Sequence, residues 1–129
     1  MHTIRLRRPW RRTAGQDGAI ENVSLPDLNP VASPSGSVLY ERIFNCPTGL
    51  ESGDRVCLVI GHLRASHVSV HLNAISLLDT AVDNVVLPLR LDLTEQLQPS
   101  NQLAIQLQST SQTTVSLDGD VCLQIEAVG

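Results

Sequence analysis

The chain has 129 residues, a formal net charge of −4 and three cysteines, a size that suits one domain whose core needs no cross-links. Aromatic residues make up only 2% of it, so the core must be mainly aliphatic. Five of the nine basic residues lie in the first twelve positions, and the rest carries four arginines against thirteen acids, a balance that argues against a nucleic-acid-binding surface.

The basic start consists of Arg5, Arg7, Arg8, Arg11 and Arg12. No apolar stretch follows these arginines, so we expect no export signal. No run approaches the roughly 18 apolar residues of a membrane helix, and we therefore expect a soluble, cytoplasmic protein without a membrane partner. Two interpretations of the basic segment stay open: it docks on the acidic body, which we favour, or it binds an anionic or protein partner.

Alternation of apolar and polar residues with period two dominates the chain and predicts strands. In chain order the predicted strands cover residues 3–8, 19–25, 37–46, 55–60, 66–73, 87–93, 101–108 and 120–126. The predicted strand 55–60 is continuously apolar after Arg55, which indicates a central strand covered on both faces. The regular spacing of strands and turn residues predicts an all-β sandwich of eight or nine mainly antiparallel strands in a single domain, residues 1–129.

The segments between the strands contain typical turn residues. Long loops are predicted at 28–36 and 47–54, and a three-residue loop at 118–120 should join two strands. One short helical turn is predicted after Asp92, with Glu95 three residues later as in a capping box. This turn should end before Pro99.

Three patches of residues 37–108 resemble the sugar-binding module that precedes the catalytic domain in glycoside hydrolase family 2, a jelly roll of the galactose-binding-domain-like fold. The patches are Tyr40-Glu41-Arg42-Ile43-Phe44 with Pro47, then Val68-Ser69-Val70-His71-Leu72-Asn73-Ala74, and then Asp92-Leu93-Thr94 with Leu97, Asn101 and Leu103. The resemblance implies a jelly-roll β-sandwich and carbohydrate-binding ancestry. Ala74 stands where the pattern has Gly, at a turn position for which we expect a positive φ.

The candidate ligand-binding residues have two origins. The resemblance implies Asn73, Arg90 and Asp92 as the polar residues near a family-type site. Sugar sites also stack an aromatic ring on the apolar face of the sugar, and Trp10 is the candidate platform. The alternative for Trp10, which we favour, is a lid over one end of the sandwich.

The sequence offers no catalytic motif and little metal chemistry. His67 and His71 share a strand face about 13 Å apart, too far for one ion. Turn chemistry accounts for the acidic clusters around Asp79 and Asp118 as well as a structural calcium would, so we expect no cofactor. We expect three reduced, partly buried thiols. The predicted function is a non-catalytic binding module of carbohydrate-binding ancestry with an unknown ligand, and the alternative is a protein-interaction or assembly domain that has lost sugar binding.

Overall fold

The protein folds as two antiparallel sheets packed face to face. The computed structural model describes residues 2–14, 19–28, 31–32, 37–109 and 114–127. The four-stranded sheet has the spatial order β1 (His2–Arg5), β12 (Val121–Glu126), β6 (Arg55–Ile60) and β9 (Leu89–Asp92). The six-stranded sheet has the order β3 (Ala19–Val23), β2 (Trp10–Ala14), β5 (Ser37–Asn45), β10 (Ser100–Gln108), β7 (His67–Leu72) and β8 (Ile75–Ala81). A further pair joins β4 (Val31–Ala32) to β11 (Thr114–Val115). The predicted all-β jelly-roll sandwich is confirmed.

The core lies between the two sheets and is built from alternate residues of each strand. In β10 the inward residues Leu103, Ile105 and Leu107 are fully buried, while the intervening residues face outward. Trp10 and Tyr40 are the two largest fully buried side chains of the described residues. Each fully buried large apolar side chain contributes about 1.5–3 kcal/mol, so this single cluster accounts for most of the cohesion of the domain.

Two long strands escaped the sequence analysis, for different physical reasons. In β2 an inward position is occupied by Arg12, which hides the alternation of the strand. In β8 the pairing with β7 shifts register between Val70 and His71, so a β-bulge interrupts the period of two. With β2, β8 and the short β4 and β11, the described residues contain twelve strands rather than eight or nine.

The turn between β7 and β8 has the geometry expected for it. Asn73 and Ala74 have φ values of 53° and 68°, and the two residues connect the paired positions Leu72 and Ile75. A positive φ at both central residues matches the right-handed twist of the two strands. Ala74 therefore occupies a left-handed conformation that Gly would adopt at lower cost.

The other connections follow the predictions in part. The helical turn after β9 is present as a 3-10 helix, Thr94–Gln96. The predicted capping box is wrong in its N-cap residue, which is Leu93 rather than Asp92, although Oδ1 of Asp92 accepts a hydrogen bond from the backbone N–H of Thr94, the first residue of the helix. The loop 118–120 does not close a hairpin either, since the strand before it pairs with β4 and Ser116 bridges to Arg64. The loop at 47–54 is present, and only part of the predicted loop at 28–36 lies within the described residues.

The basic N-terminal segment is part of both sheets. β1 is an edge strand paired with β12, and β2 lies inside the larger sheet between β3 and β5. Arg12 is buried in ion pairs with Asp27 and Glu21, whereas Arg11 is exposed. The segment therefore docks on acidic residues of the body at one position and presents charge to solvent at others. Among the described residues no helix is long and apolar enough to cross a membrane.

Candidate ligand-binding site

Trp10, the predicted sugar platform, is fully buried. Its relative exposure is 0%, and its Nε1 donates a hydrogen bond of 2.7 Å to the carbonyl oxygen of Leu6. The ring therefore has no free face on which a sugar could stack in this structure. The placement agrees with the alternative interpretation, in which Trp10 covers the core.

Asn73 holds the turn between β7 and β8 to neighbouring segments. Its Nδ2 donates to the carbonyl oxygen of Gln96 and to Oδ1 of Asn101, and its Oδ1 accepts from the backbone N–H of Gln102. Asn101 is itself buried and exchanges two hydrogen bonds of 2.8 Å with the backbone of Gln98. Both Nδ2 and Oδ1 of Asn73 therefore already form hydrogen bonds within the protein, and these bonds hold the turn in place.

Arg90 and Asp92 alternate along the edge strand β9 and face outward from the four-stranded sheet. Arg90 donates to Gln124 and Glu126, while Asp92 accepts from Arg55 and from the backbone and Oγ1 of Thr94. The hydrogen bonds from Thr94 and the ion pair with Arg55 lower the pKa of Asp92 to about 2. The two residues therefore contribute to a surface network on the smaller sheet, apart from Trp10.

A shallow depression of about 280 Å³ lies on the outer face of the larger sheet. It is lined by Pro9, Trp10, Arg11, Asn22, Glu41, Arg42, Ile43 and Gln102. Of the four predicted ligand-binding residues, only Trp10 lines this depression.

Strand register explains why these side chains meet. Arg11 of β2 is opposite Asn22 of β3 on one side and Glu41 of β5 on the other, and Ile43 is opposite Gln102 of β10. Because alternate residues of a strand share one face, these five side chains point outward together.

The depression combines an apolar surface with hydrogen-bonding groups. Ile43 is 68% exposed and supplies the apolar surface of the depression. Nε2 of Gln102 donates to Glu41 across 3.3 Å, so amide and carboxylate border the aliphatic surface. Such a surface can hold a small polar molecule that has one apolar face.

Arg42 lies beneath the edge of the depression. It donates through its terminal amino groups to the carbonyl oxygens of Ile43 and Arg8, each at 3.0 Å. Its Nε is buried and has no hydrogen-bond partner among the described residues. Burial lowers the pKa of Arg42. The guanidinium thus ties the connection between β1 and β2 to β5 and keeps unused donor capacity.

A buried polar cluster under the same sheet was not predicted. Oδ2 of Asp27 accepts from Nη1 of Arg12 at 2.6 Å and from the hydroxyl of Tyr40 at 2.8 Å. Burial, followed by the hydrogen bond to Asp27, raises the pKa of Tyr40. The cluster fixes the segment around Asp27 against β2 and β5. No local pattern in the sequence could have revealed it, because Asp27 is 15 residues from Arg12 and 13 residues from Tyr40.

Two of the histidines considered as metal ligands form pairs with acidic side chains. Nδ1 of His62 lies 2.7 Å from Asp118, which also accepts from Arg64, and His67 pairs with Asp79. No three His, Cys, Asp or Glu side chains of the described ranges gather as metal ligands would. The three cysteines are free and partly buried.

Comparisons with known proteins agree on the fold. No protein-family model matches the sequence, and no curated protein matches it. Among solved structures, an FMN-binding beta-glucuronidase from Facaelibacterium prausnitzii L2-6 superposes with a TM-score of 0.75 and 20% identity, over 95% of this chain and 22% of that one. A beta-glycosidase from Bacteroides vulgatus superposes with a TM-score of 0.75 and 18% identity, over 97% of this chain and 20% of that one. A glycosyl hydrolase family 2 member from Bacteroides cellulosilyticus superposes with a TM-score of 0.71 and 14% identity, over 97% of this chain and 21% of that one.

The likeness is one of fold, because every identity is low. It confirms, at the level of the fold, the resemblance to glycoside hydrolase family 2 that the three sequence patches indicated. The chain spans about a fifth of the length of these glycosidases.

Proposed function

We propose that this domain is a non-catalytic carbohydrate-binding module that takes its ligand in the depression on the outer face of the larger sheet. The observation that carries the proposal is the exposed aliphatic surface of Ile43 inside a ring of polar side chains. A pyranose has one apolar face and a rim of hydroxyls, and the depression offers a partner for each. The fold, which occurs within larger glycosidases, supports the same function.

The absence of a nucleophile or metal motif from the sequence supports the non-catalytic part of the proposal. The polar groups of the depression serve binding well: Asn22 and Gln102 each offer a donor and an acceptor, and Glu41 accepts from hydroxyls. Because Ile43 replaces the usual aromatic ring, the stacking contribution is small. We therefore expect weak binding, with Kd in the range of about 0.1–1 mM.

The test is calorimetric titration with plant, algal and bacterial oligosaccharides. We expect at least one of them to bind with a submillimolar Kd, and Gln102→Ala to weaken binding at least tenfold. Gln108→Ala is the matched control, because Gln108 is an exposed residue on the same face of β10 that does not line the depression. The absence of submillimolar binding to any glycan would refute the proposal.

The same titration separates the depression from the site implied by the family resemblance. Asn73, Arg90 and Asp92 remain predicted ligand residues of that site. Loss of binding in Arg90→Gln with unchanged binding in Gln102→Ala would transfer the site to the four-stranded sheet. The opposite result assigns it to the depression.

An assembly domain is the second candidate, favoured by the exposed arginines at one edge of an otherwise acidic chain. Deleting residues 1–12 is not a usable test, since it removes β1 and part of β2. The triple variant Arg5→Gln, Arg7→Gln, Arg8→Gln keeps both strands. If this edge binds another copy through charge, the variant has a lower mass than the parent protein by light scattering in low salt. Equal masses reject the candidate.

A further inference from the structure

Two free cysteines are neighbours on the outer face of the four-stranded sheet, opposite to the side of the molecule that carries the depression. Cys57 of β6 is opposite Gln124 of β12 in the strand register, and Cys122 is two residues before Gln124. Residues that are opposite each other share a face of the sheet, and so do residues two apart on one strand, so both thiols point outward. Both are free and partly buried.

The diagonal between the two cysteines suits a bridging ion better than a disulfide. Diagonal neighbours on paired strands have Cα atoms about 7–8 Å apart, and a disulfide closes without backbone movement only up to about 7 Å. The right-handed twist of a sheet shortens the diagonal from a residue to the one two positions before its partner, which is the diagonal from Cys57 to Cys122. Two metal–sulfur bonds of about 2.3 Å each place the sulfur atoms about 4.5 Å apart, a separation that cysteine side chains on this diagonal can reach.

Apolar surface and two arginines border the thiols. Val59 is opposite Cys122 and two residues after Cys57, and it is only 9% exposed although it lies outside the core cluster. Arg5 of β1 is opposite Cys122 on the other side, and Arg55 is two residues before Cys57 on the same face. An ion between the thiols would therefore be shielded from water on the side of Val59, and the two guanidinium groups would lie near the negative charge of the thiolates.

We propose that Cys57 and Cys122 form a two-coordinate site for a soft, monovalent metal ion of the Cu(I) type. Thiolates favour soft ions, and Cu(I) accepts two sulfur ligands in a linear arrangement. Binding replaces two S–H bonds by two Cu–S bonds and releases two protons, so copper remains Cu(I) and no oxidant is needed. Zn(II) needs four ligands, and within the described ranges no third His, Cys, Asp or Glu joins the pair. A redox pair fits less well, because burial raises the pKa of Cys122 whereas redox-active cysteines have a lowered pKa.

The test is a competition titration in which the full chain removes Cu(I) from its coloured complex with bicinchoninate in the absence of oxygen. We expect the protein to bind one Cu(I) per chain. Cys57→Ser and Cys122→Ser each leave one thiolate, and either should weaken binding at least about a hundredfold, because the second bond of a chelate forms at a high effective concentration. Cys46→Ser is the matched control: it removes a free, partly buried thiol that lies outside the four-stranded sheet, and it should change neither the stoichiometry nor the affinity.

X-ray absorption of the copper-loaded parent protein needs no variant and should show two sulfur neighbours of the copper ion, so the inference remains testable if a Ser variant does not fold. Unchanged binding of Cu(I) by both Cys57→Ser and Cys122→Ser, or an equal loss in Cys46→Ser, would overturn the inference. Zn(II) bound as tightly as Cu(I) would also overturn it, because the site would then hold more than two ligands. Failure of the protein to remove any Cu(I) from bicinchoninate has the same consequence. None of these outcomes affects the proposed carbohydrate-binding function, which concerns the other sheet.

Discussion

The buried ion pair between Arg12 and Asp27 supports the most direct test of the structure. Asp27→Asn preserves the volume of the side chain and one acceptor oxygen but removes the negative charge. In the folded protein, Arg12 then remains shielded beneath the larger sheet with Glu21 as its remaining carboxylate partner of the described contacts. The hydroxyl of Tyr40 also loses a charged acceptor.

The magnitude follows from the burial of the two partners. The side chains of Arg12 and Asp27 are 9% and 3% exposed, and removing one partner of such a pair typically costs about 3–5 kcal/mol. Glu21 compensates in part, since it approaches Arg12 to 2.7 Å, so we expect a loss of about 3 kcal/mol in the free energy of unfolding. For a chain of this size that corresponds to a fall in Tm of about 10 °C.

Urea unfolding followed by tryptophan fluorescence measures this loss, because Trp10 is the single tryptophan of the chain and is buried close to the cluster. The slope of the transition should not change. Glu21→Gln is the matched control: it removes a charge from the exposed end of the same cluster, 64% exposed, and should cost less than about 1 kcal/mol. Equal effects of the two substitutions would refute the reasoning that burial makes the Asp27 pair strong.

Three further predictions concern stability. Ala74→Gly should raise the free energy of unfolding by about 1 kcal/mol, because it relieves a φ of 68°, and a lower Tm would contradict this. The pKa of Asp92, about 2, lies below the value of about 3.9 in unfolded chains, so its contribution is present above pH 4 and is lost as the pH falls towards 2. The carboxylate is surface-exposed, so Asp92→Asn should cost less than about 1 kcal/mol at pH 7 and clearly less at pH 2, where about half of the folded molecules are protonated, measured as urea midpoints. Gly119→Ala should cost about 1–3 kcal/mol by the same measurement, since its Cβ would lie 2.3 Å from the backbone nitrogen of His62.

The strands that the sequence predicted correctly are those in which alternation and burial coincide. In β10 every second residue from Leu103 to Leu107 is apolar and buried, so the period is visible without any tertiary information. In β2 the inward Arg12 is stabilised by Asp27, which lies in a distant segment, and the pattern is therefore unreadable locally. The bulge in β8 has the same effect, because pairing with β7 imposes it from outside the strand.

The candidate site was less predictable than the fold because it depends on neighbouring strands that are distant in sequence. Arg11 and Glu41 are 30 positions apart in the chain and become opposite residues only through the pairing of β2 with β5. β2 was itself missed, so its register could not be inferred. Trp10, the single tryptophan, was a candidate platform for a sugar, but its large side chain is buried beneath the sheet, where it stabilises the core.

The family-like patches explain why the fold could be recognised while the ligand could not. In the patch Tyr40-Glu41-Arg42-Ile43-Phe44, the pattern specifies Tyr40, Arg42 and Phe44, which share the inward face of the strand, and leaves Glu41 and Ile43 variable. The two variable positions line the depression, as does Gln102, which occupies a variable position of the third patch. A period-two motif necessarily fixes one face of a strand and leaves the other face free. Recognition of the inward face thus establishes the sandwich, and the specificity of each module has to be read from its outward face, which here combines the exposed side chain of Ile43 with Arg11, Glu41 and Gln102.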